Sequence, residues 1–304
     1  MSTTTQSTVV TPERIGLLAG WGRYPIVVAE ELKRQGYEVY CLGIKGHAEE
    51  TSLAEICDDF RWIGAAKLGA QIRYFKRHNV RRATMAGKIH KIAMFQPLVI
   101  LRHMPDWRCI RTYYPHFITG SKDRKDDTLL GTLIEEFAKD DIVFAPATDF
   151  APQLLLKKGQ LCGKRISSNQ WSDICFGWEL AKKMGELDVG QSVVVKGQAV
   201  IAVEAVEGTD ACIRRAGELC ASGGFTVVKV AKPQQDMRFD VPTIGQGTIE
   251  TIAAAGGNLL AVEADRTIII DQQHVAQLAE AHKISIVAVH DPAVDRKAGH
   301  LEAA

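Results

Sequence analysis

One segment near the N-terminus, residues 14–42, most constrains the fold of this chain. Its apolar start leads into a glycine-rich turn, and a helical pattern and a second apolar run follow. We predict a strand, a turn, a helix and a strand, at 14–19, 20–25, 26–35 and 37–42. This order is typical of the opening of a doubly wound, Rossmann-like nucleotide-binding domain.

The glycine-rich turn is a candidate ligand site. Gly20 and Gly22 would let the backbone approach a phosphate or a sugar, and the following helix offers oriented N–H groups at its N-terminus. The match to a dinucleotide-binding motif is incomplete, because Pro25 replaces the third glycine and the second strand runs into Gly43-Ile-Lys45, with no acidic residue placed for a ribose 2′-hydroxyl. The simpler alternative is a tight strand-to-helix turn. We predict a loop that faces a ligand, but not a nicotinamide site.

Two further features of the first half carry charge. A parallel strand predicted at 81–86 ends in Gly87 and Lys88, a position suited to an anionic group, although a solvated lysine fits equally well. Asp126 and Asp127 begin a helix, where carboxylates cap the helix or form half of a Mg²⁺ site.

Residues 92–117 mix apolar, aromatic and arginine residues, which indicates core-facing helices or, as the alternative, a surface at a lipid interface.

The length of 304 residues predicts two domains, and 46% hydrophobic with 24% charged residues is ordinary for a soluble protein. The predicted fold class is α/β. We place a Rossmann-like N-terminal domain at 12–148, a linker at 149–166 and a mixed α+β C-terminal domain at 167–291. Residues 1–11 and 292–304 are expected to be flexible tails.

Composition argues against several classes of protein. A net charge of +1 and the lack of a Lys/Arg run give no basis for a nucleic-acid partner. The seven cysteines are odd in number and never in a Cys-x-x-Cys spacing, which indicates reduced thiols in the cytoplasm and no structural zinc site. No apolar run is long enough to span a membrane, so we expect a cytoplasmic protein that touches a bilayer, if at all, from outside.

The stretch from 229 to 245 is the strongest candidate for chemistry. It joins a predicted strand at 225–230 to a predicted helix at 246–255, a position where α/β proteins commonly hold ligands. On spacing alone, an ordinary charged surface loop is an equally good interpretation. From position 232 to position 245 the stretch carries two carboxylates and two cations, namely Asp236, Asp240, Lys232 and Arg238.

With these segments identified, the chain resembles the UDP-2,3-diacylglucosamine pyrophosphatases of the LpxI type. The most specific matches are the last ones, including Arg238-Phe-Asp-Val-Pro-Thr-Ile-Gly245. The matching segments follow the family's order and cover almost the whole chain outside the two tails: 16–25, 86–87, 126–130, 187–191, 203–210 with 214–215, 229–233 and 238–245.

The resemblance implies a metal-dependent hydrolase of lipid A synthesis, which splits UDP-2,3-diacylglucosamine into 2,3-diacylglucosamine 1-phosphate (lipid X) and UMP. It also implies a homodimer, with the lipid-linked nucleotide-sugar held between the two domains. Peripheral contact with the inner membrane surface is a further expectation. The aspartate of the family's Arg-x-Asp-x-Pro-Thr-Ile-Gly segment is regarded as catalytically essential, and here it is Asp240.

Hydrolysis of a phosphoanhydride needs neutralised charge on the phosphoryl oxygens, a positioned water and a stabilised leaving group. We expect Mg²⁺, or another divalent cation such as Mn²⁺, at Asp240 with Asp210 and Asp236. Whether Asp240 is a metal ligand or positions the water stays open. The expected substrate-binding residues are Gly20, Gly22, Arg23, Gly87, Lys88, Gln191, Thr209, Asp210, Lys232, Arg238 and Thr243.

Two other classes of function remain open. A non-catalytic nucleotide-sugar or lipid-binding protein would bind the same substrate without releasing UMP. An NAD(P)-dependent oxidoreductase would use the first domain, and the missing acidic residue after the second strand counts against it.

Overall fold

The computed structural model describes residues 12–48, 50–87, 104–117 and 126–301. The chain divides into two compact units, Met1–Ala151 and Pro152–Ala304, and each is described by itself. The predicted site residue Lys88 and residues 92–103 of the segment 92–117 lie outside the described residues.

A parallel sheet in the order β3-β2-β1-β4-β5 organises the first unit. This is the Rossmann arrangement, in which the strand order reverses between β1 and β4, so the predicted Rossmann-like first half is confirmed. The elements in chain order are β1 (Arg14–Ala19), α1 (Tyr24–Arg34), β2 (Glu38–Ile44), α2 (Glu50–Ile56), β3 (Asp59–Ile63), α3 (Leu68–Arg77), β4 (Arg82–Ala86), α4 (Trp107–Phe117), α5 (Asp126–Ala138), β5 (Val143–Phe144) and α6 (Ala147–Phe150).

Helices cover β1 on both faces, which explains why its sequence is continuously apolar rather than alternating. Ile15 and Leu17 are fully buried against Val28 of α1. On the opposite face Gly16 leaves space for Phe75 of α3, because a Cβ at this glycine would lie 2.9 Å from the phenyl ring. The close approach fixes α3 against the sheet.

The second unit contains a mixed sheet in the order β6-β13-β11-β9-β7-β8. Strands β9, β11 and β13 are parallel, whereas β7 runs antiparallel to β9 and β8, and β6 runs antiparallel to β13. A short parallel pair, β10 with β12, lies outside this sheet. The elements are β6 (Gly159–Cys162), α7 (Ser168–Glu186), β7 (Ser192–Lys196), β8 (Ala199–Val203), α8 (Thr209–Leu219), β9 (Thr226–Lys229), β10 (Thr243–Ile244), α9 (Gln246–Ala255), β11 (Leu259–Glu263), β12 (Ile268–Ile269), α10 (Gln272–Ala281), β13 (Ser285–Val289) and α11 (Pro292–Leu301).

The second unit is a three-layer structure. Helices α8, α9 and α10 bury Ile213, Ile249 and Val275 against one face of the sheet. Helix α7 buries Ile174 and Ala181 against the other face, and α11 packs beside it. Helices and strands are thus combined as predicted, and the predicted fold class is confirmed.

The predicted linker at 149–166 requires a correction. The division between the units falls after Ala151, and β6 within the predicted linker pairs with β13 as an edge strand of the second sheet. A four-residue edge strand, exposed at Gly159 and Gln160, carries too little apolar alternation to be recognised among lysines and glycines.

The predicted C-terminal tail also requires a correction, because α11 continues to Leu301. The Asp291 carboxylate accepts the Ala293 N–H at 2.9 Å, and Pro292 occupies the first helical position. Asp295 is only 7% exposed and accepts the His290 N–H at 2.9 Å. An aspartate followed by proline is a helix-start signal, and it outweighs the charged composition.

The elements α2 and β3 have no predicted counterpart. Strand β3 is half-exposed along most of its length and lacks the apolar alternation of a buried strand. Within the described ranges, no helix combines the length and apolar character that crossing a bilayer requires.

Candidate active site

The loop between β9 and β10, residues 230–242, is anchored at its start by two side chains. Glu263 at the end of β11 accepts the Ala231 N–H at 2.8 Å, and Lys182 of α7 donates to the Ala231 carbonyl at 3.0 Å. Lys182 Nζ and Glu263 Oε2 also pair at 2.6 Å. Both backbone polar groups of Ala231 are therefore bound by one ion pair, which fixes where the loop leaves the sheet.

Asp236 is occupied within the loop. Its carboxylate accepts the Arg238 Nε–H at 2.9 and 3.0 Å, the Nη2–H at 2.5 Å and the backbone N–H at 3.0 Å. The bonds from the Arg238 side chain, above all, hold the pKa of Asp236 below its ordinary value, although partial burial acts in the opposite direction. Because both oxygens are engaged, Asp236 does not fit the predicted role of metal ligand.

Asp240 has different surroundings. Its backbone N–H donates to the Asp236 carbonyl at 3.0 Å, which closes a turn, and its side chain is half-buried. Its carboxylate forms no hydrogen bond or ion pair with any residue that the structure describes. A sheltered carboxylate without a partner in the described part of the chain is available to a cation or to a water.

Lys232 pairs with a third aspartate. Its ammonium pairs with the Asp188 carboxylate at 2.6 Å, on the segment that follows α7. Gly185 brings the end of α7 against the same loop, because a Cβ there would lie 3.2 Å from Lys232 Cα and Pro233 Cδ. Lys232 thus holds two neighbouring segments together, and a role in phosphate binding would require it to share its charge with Asp188.

Three polar side chains lie in one row across the ends of β9, β7 and β8. Lys229 pairs in register with Ser192, and the Glu204 N–H donates to the Ser192 carbonyl at 2.9 Å. All three residues are at least nine-tenths buried. We call Lys229, Ser192 and Glu204 the polar row. Sequence reasoning missed these three as functional residues, and the available signal was a polar residue at the end of each apolar strand.

Thr209, the first residue of α8, lies over the polar row. Its hydroxyl donates to Glu204 Oε1 at 3.0 Å and lies 3.1 Å from Lys229 Nζ and 3.3 Å from Ser192 Oγ. The hydroxyl is therefore fully engaged inside the protein. A substrate contact from Thr209 would have to use its backbone N–H.

The N-terminus of α8 is the positively polarised end of an eleven-residue helix. Gly208 occupies the N-cap with φ +81°, and no side chain caps the first turn. Asp210 is exposed in that turn, where the helix dipole favours a carboxylate, and the Thr248 hydroxyl of α9 lies 3.5 Å from its Oδ1. Asp210 thus lies at the same edge of the second sheet as the polar row.

Two more predicted residues border the polar row. The carbonyl of Thr243, at the start of β10, lies 3.4 Å from Lys229 Nζ, and its hydroxyl donates to the Val241 carbonyl at 2.9 Å. The Gln191 carbonyl accepts the Val230 N–H at 3.0 Å, and its buried Oε1 has no hydrogen-bond partner among the described residues. The fold therefore gathers Gln191 and Thr243 with Thr209 and Asp210.

In the first unit, the predicted glycines meet where the strand order reverses. The Gly20 N–H donates to the Ala86 carbonyl at 2.8 Å. Gly87 has φ +92°, and a Cβ there would lie 2.8 Å from the Gly20 carbonyl carbon and from the Trp21 oxygen. Only glycine fits this approach, so Gly87 and the glycine-rich turn form one surface at the position where Rossmann-like domains bind ligands.

The other residues predicted in the first unit are Gly22, Arg23 and the end of the second strand. Gly22 has φ +100°, and Arg23 is exposed immediately before α1. Strand β2 ends at Ile44 and is followed by Lys45 and Gly46, so no carboxylate is placed there for a ribose hydroxyl. This end of β2 counts against the nicotinamide alternative.

The described residues contain no group of three or more His, Cys, Asp or Glu side chains arranged to hold a metal ion. A ligand set of Asp210, Asp236 and Asp240 is therefore not formed. Mg²⁺ commonly takes only one or two protein carboxylates and completes its shell with substrate phosphates and water. Asp240 and Asp210 fit that requirement, because neither carboxylate is tied to a cation of the described chain.

Comparisons with known proteins match both halves of the chain. Residues 14–154 match the family model described as the LpxI N-terminal domain, and residues 157–287 match the LpxI C-terminal domain. A protein of Caulobacter vibrioides named UDP-2,3-diacylglucosamine pyrophosphatase LpxI is 29% identical over 286 residues, which is 92% of this chain and 98% of the relative. The two models follow each other in order and leave only residues 155 and 156 between them, so the chain contains both LpxI domains over most of its length.

Proposed function

We propose that the chain hydrolyses the pyrophosphate bond of UDP-2,3-diacylglucosamine, and that it releases 2,3-diacylglucosamine 1-phosphate and UMP in lipid A biosynthesis. The observation that carries the proposal is the state of Asp240, which is half-buried, without a partner in the described chain, and placed in the loop most specific to the family. The name of the Caulobacter relative and the match of both LpxI domains support the same substrate.

Asp240 is the proposed catalytic residue. A carboxylate in its position orients the attacking water toward one phosphorus atom and accepts its proton as the bond to the leaving phosphate breaks. Asp236 differs from it in one respect that matters for this role, because its oxygens are already bound by Arg238. The pair Arg238–Asp236 instead stiffens the turn that presents Asp240.

Asp240 and Asp210 are the proposed ligands of Mg²⁺ or Mn²⁺. When bound, the cation supplies neutralising charge for the phosphoryl oxygens. The first turn of α8 adds backbone N–H groups that favour the same anionic groups. In the first unit, the surface formed by Gly20, Gly22 and Gly87 with Arg23 is proposed to contact the substrate. Lys88, which lies outside the described residues, remains a predicted contact.

The proposal includes contact between helix α4 and a lipid surface. Trp107, Ile110 and Tyr114 of α4 are 78%, 42% and 49% exposed, and Arg111 lies among them with a largely exposed side chain. Aromatic and apolar side chains beside a cation are typical of peripheral contact with a lipid surface, where the substrate resides. The homodimer implied by the family remains a prediction.

The test measures UMP released from UDP-2,3-diacylglucosamine in detergent micelles with Mg²⁺, and again after EDTA. We expect release by the wild-type chain, abolition by EDTA, and a loss of about 10³-fold in kcat for Asp240→Asn. Because the Asp240 carboxylate has no partner among the described residues, the free energy of unfolding of this variant should lie within about 0.5 kcal/mol of the wild-type value.

Glu218→Gln serves as the matched control, since Glu218 is an exposed carboxylate in the last turn of α8. This variant should keep wild-type activity. Binding of the substrate with no UMP from the wild-type chain at any metal concentration would support the non-catalytic alternative. Wild-type turnover by Asp240→Asn would remove Asp240 from the mechanism.

A further inference from the structure

The polar row lies on a face of the sheet that is otherwise apolar. Side chains alternate between the two faces of a strand, so Lys229 shares a face with Val227, and Ser192 shares one with Val194. Both valines belong to the core beneath α8, α9 and α10. The polar row therefore marks where this apolar core stops, at one end of the strands and directly below the first turn of α8.

The hydroxyl of Thr209 connects the row to this helix. It donates to Glu204 Oε1, so its lone pairs face the two remaining neighbours, the Lys229 ammonium at 3.1 Å and the Ser192 hydroxyl at 3.3 Å. Glu204 fixes the direction of the hydroxyl proton, and the hydroxyl in turn fixes the position of Lys229 Nζ. The second oxygen of Glu204 is buried without a hydrogen-bond partner among the described residues.

Lys229 also reaches the far end of the loop that carries Asp240. Its Nζ lies 3.4 Å from the carbonyl of Thr243, fourteen positions further along the chain. Asp240 is three residues before Thr243, so its Cα lies within about 11 Å of this contact. The loop leaves the sheet at Ala231, which Lys182 and Glu263 bind, and it returns at the carbonyl that Lys229 touches.

We propose that Lys229, held by Thr209 and Glu204, is a positioning residue that fixes the returning end of the Asp240 loop. Burial of a lysine and a glutamate disfavours folding unless both are well bonded, so their placement beside this loop calls for a function. For catalysis the inference rests on the proposed hydrolase activity, because it assigns Lys229 to the placement of Asp240. The loop geometry itself can be tested without turnover.

The first measurement is amide hydrogen exchange in the full-length chain. Lys229→Met keeps the length and the apolar stem of the side chain and removes the ammonium. We expect exchange at the Phe239 and Asp240 amides, which bond to the Asp236 carbonyl, to rise about tenfold. Thr209→Val, which removes the connecting hydroxyl, should act in the same direction and provides a second variant if Lys229→Met does not fold.

Lys196→Met is the matched control. Lys196 is the last residue of β7, whereas Ser192 of the polar row is the first, so the two lie at opposite ends of the strand. The Lys196 ammonium donates to the Ser222 hydroxyl at 2.9 Å and to the Gly223 carbonyl. Lys196→Met, like Lys229→Met, removes a contact between an ammonium and a loop carbonyl. It should leave exchange at Phe239 and Asp240, as well as kcat, at the wild-type values.

The second measurement separates kcat from KM for UMP release. Misplacement of Asp240 should lower kcat about 10- to 100-fold in Lys229→Met and change KM less than about threefold. Unchanged exchange in Lys229→Met and Thr209→Val would overturn the inference, and so would a large rise in KM without faster exchange, since Lys229 would then act on the substrate. Faster exchange in a chain whose wild type releases no UMP would support the loop anchor and refute the proposed function alone.

Discussion

The ion pair between Lys182 and Glu263 offers a quantitative test of how the loop is anchored at its start. Lys182→Met removes one partner of a pair whose side chains are 26% and 12% exposed, and it leaves the Glu263 carboxylate with the Ala231 N–H. Breaking a fully buried pair costs about 3 to 5 kcal/mol. Since the Lys182 side chain is a quarter exposed, solvent screens part of this interaction, and we expect a loss of about 2 kcal/mol in the free energy of unfolding.

Glu263→Gln changes the same contact more gently. The amide oxygen still accepts the Ala231 N–H, and only the charge is lost, so the expected cost is about 1 kcal/mol. In the double variant Lys182→Met/Glu263→Gln, the amide introduced at position 263 has already lost the ammonium partner. The free-energy costs of the two single variants should therefore not add. A coupling free energy of about 1 kcal/mol is the signature of a direct interaction.

The assay is urea unfolding followed by circular dichroism, with the transition of the second unit fitted separately if two transitions appear. Lys183→Met is the control, because Lys183 is the next residue and pairs with Glu179 while both side chains are about two-thirds exposed. Loss of Lys183 should leave the free energy of unfolding close to the wild-type value, because solvent screens an exposed pair. Equal stability of Lys182→Met and Lys183→Met, or strict additivity in the double variant, would refute the anchor.

Two further predictions concern the glycine surface and the loop. Gly87→Ala should lower the free energy of unfolding by about 2 to 4 kcal/mol, because φ is +92° and the new Cβ would meet the Trp21 carbonyl oxygen at 2.8 Å. Gly131→Ala is the control, since Gly131 lies in a helix with open space around its Cβ position, and this variant should be neutral or stabilising in thermal unfolding. The pKa of Asp236 is depressed in the folded chain by Arg238, so its stabilisation is present above its unfolded pKa and is lost as pH falls through the folded pKa. Asp236→Asn should therefore flatten the acid limb of a stability-versus-pH curve and leave its slope near pH 7 unchanged.

The regular elements were largely predictable from the sequence because their patterns are long and uninterrupted. The helix predicted at 246–255 coincides with α9, and the glycine-rich turn lies between β1 and α1 as expected. Short edge strands such as β6 were not predictable, since pairing with β13 rather than local pattern forms them.

The site was predictable as a region but not residue by residue. Asp236 and Asp240 each lie two positions from Arg238, so sequence spacing gives no reason to prefer one as the partner of the guanidinium. The turn decides it, by aiming Arg238 back at Asp236. The polar row was missed for a similar reason, because its members come from three strands and meet only through sheet register.

The pairing of β6 with β13 also has a consequence for how the chain is made. The Ser285 hydroxyl donates to the Lys164 carbonyl at 3.0 Å, and the two residues are 121 positions apart. At 5 to 20 residues per second, a ribosome needs about 6 to 24 s to add the partner after the first strand has been synthesised. The first unit can complete its sheet once Phe144 has left the ribosome, whereas β6 stays unpaired until β13 has been synthesised, so the order of synthesis imposes an order of folding on the two halves.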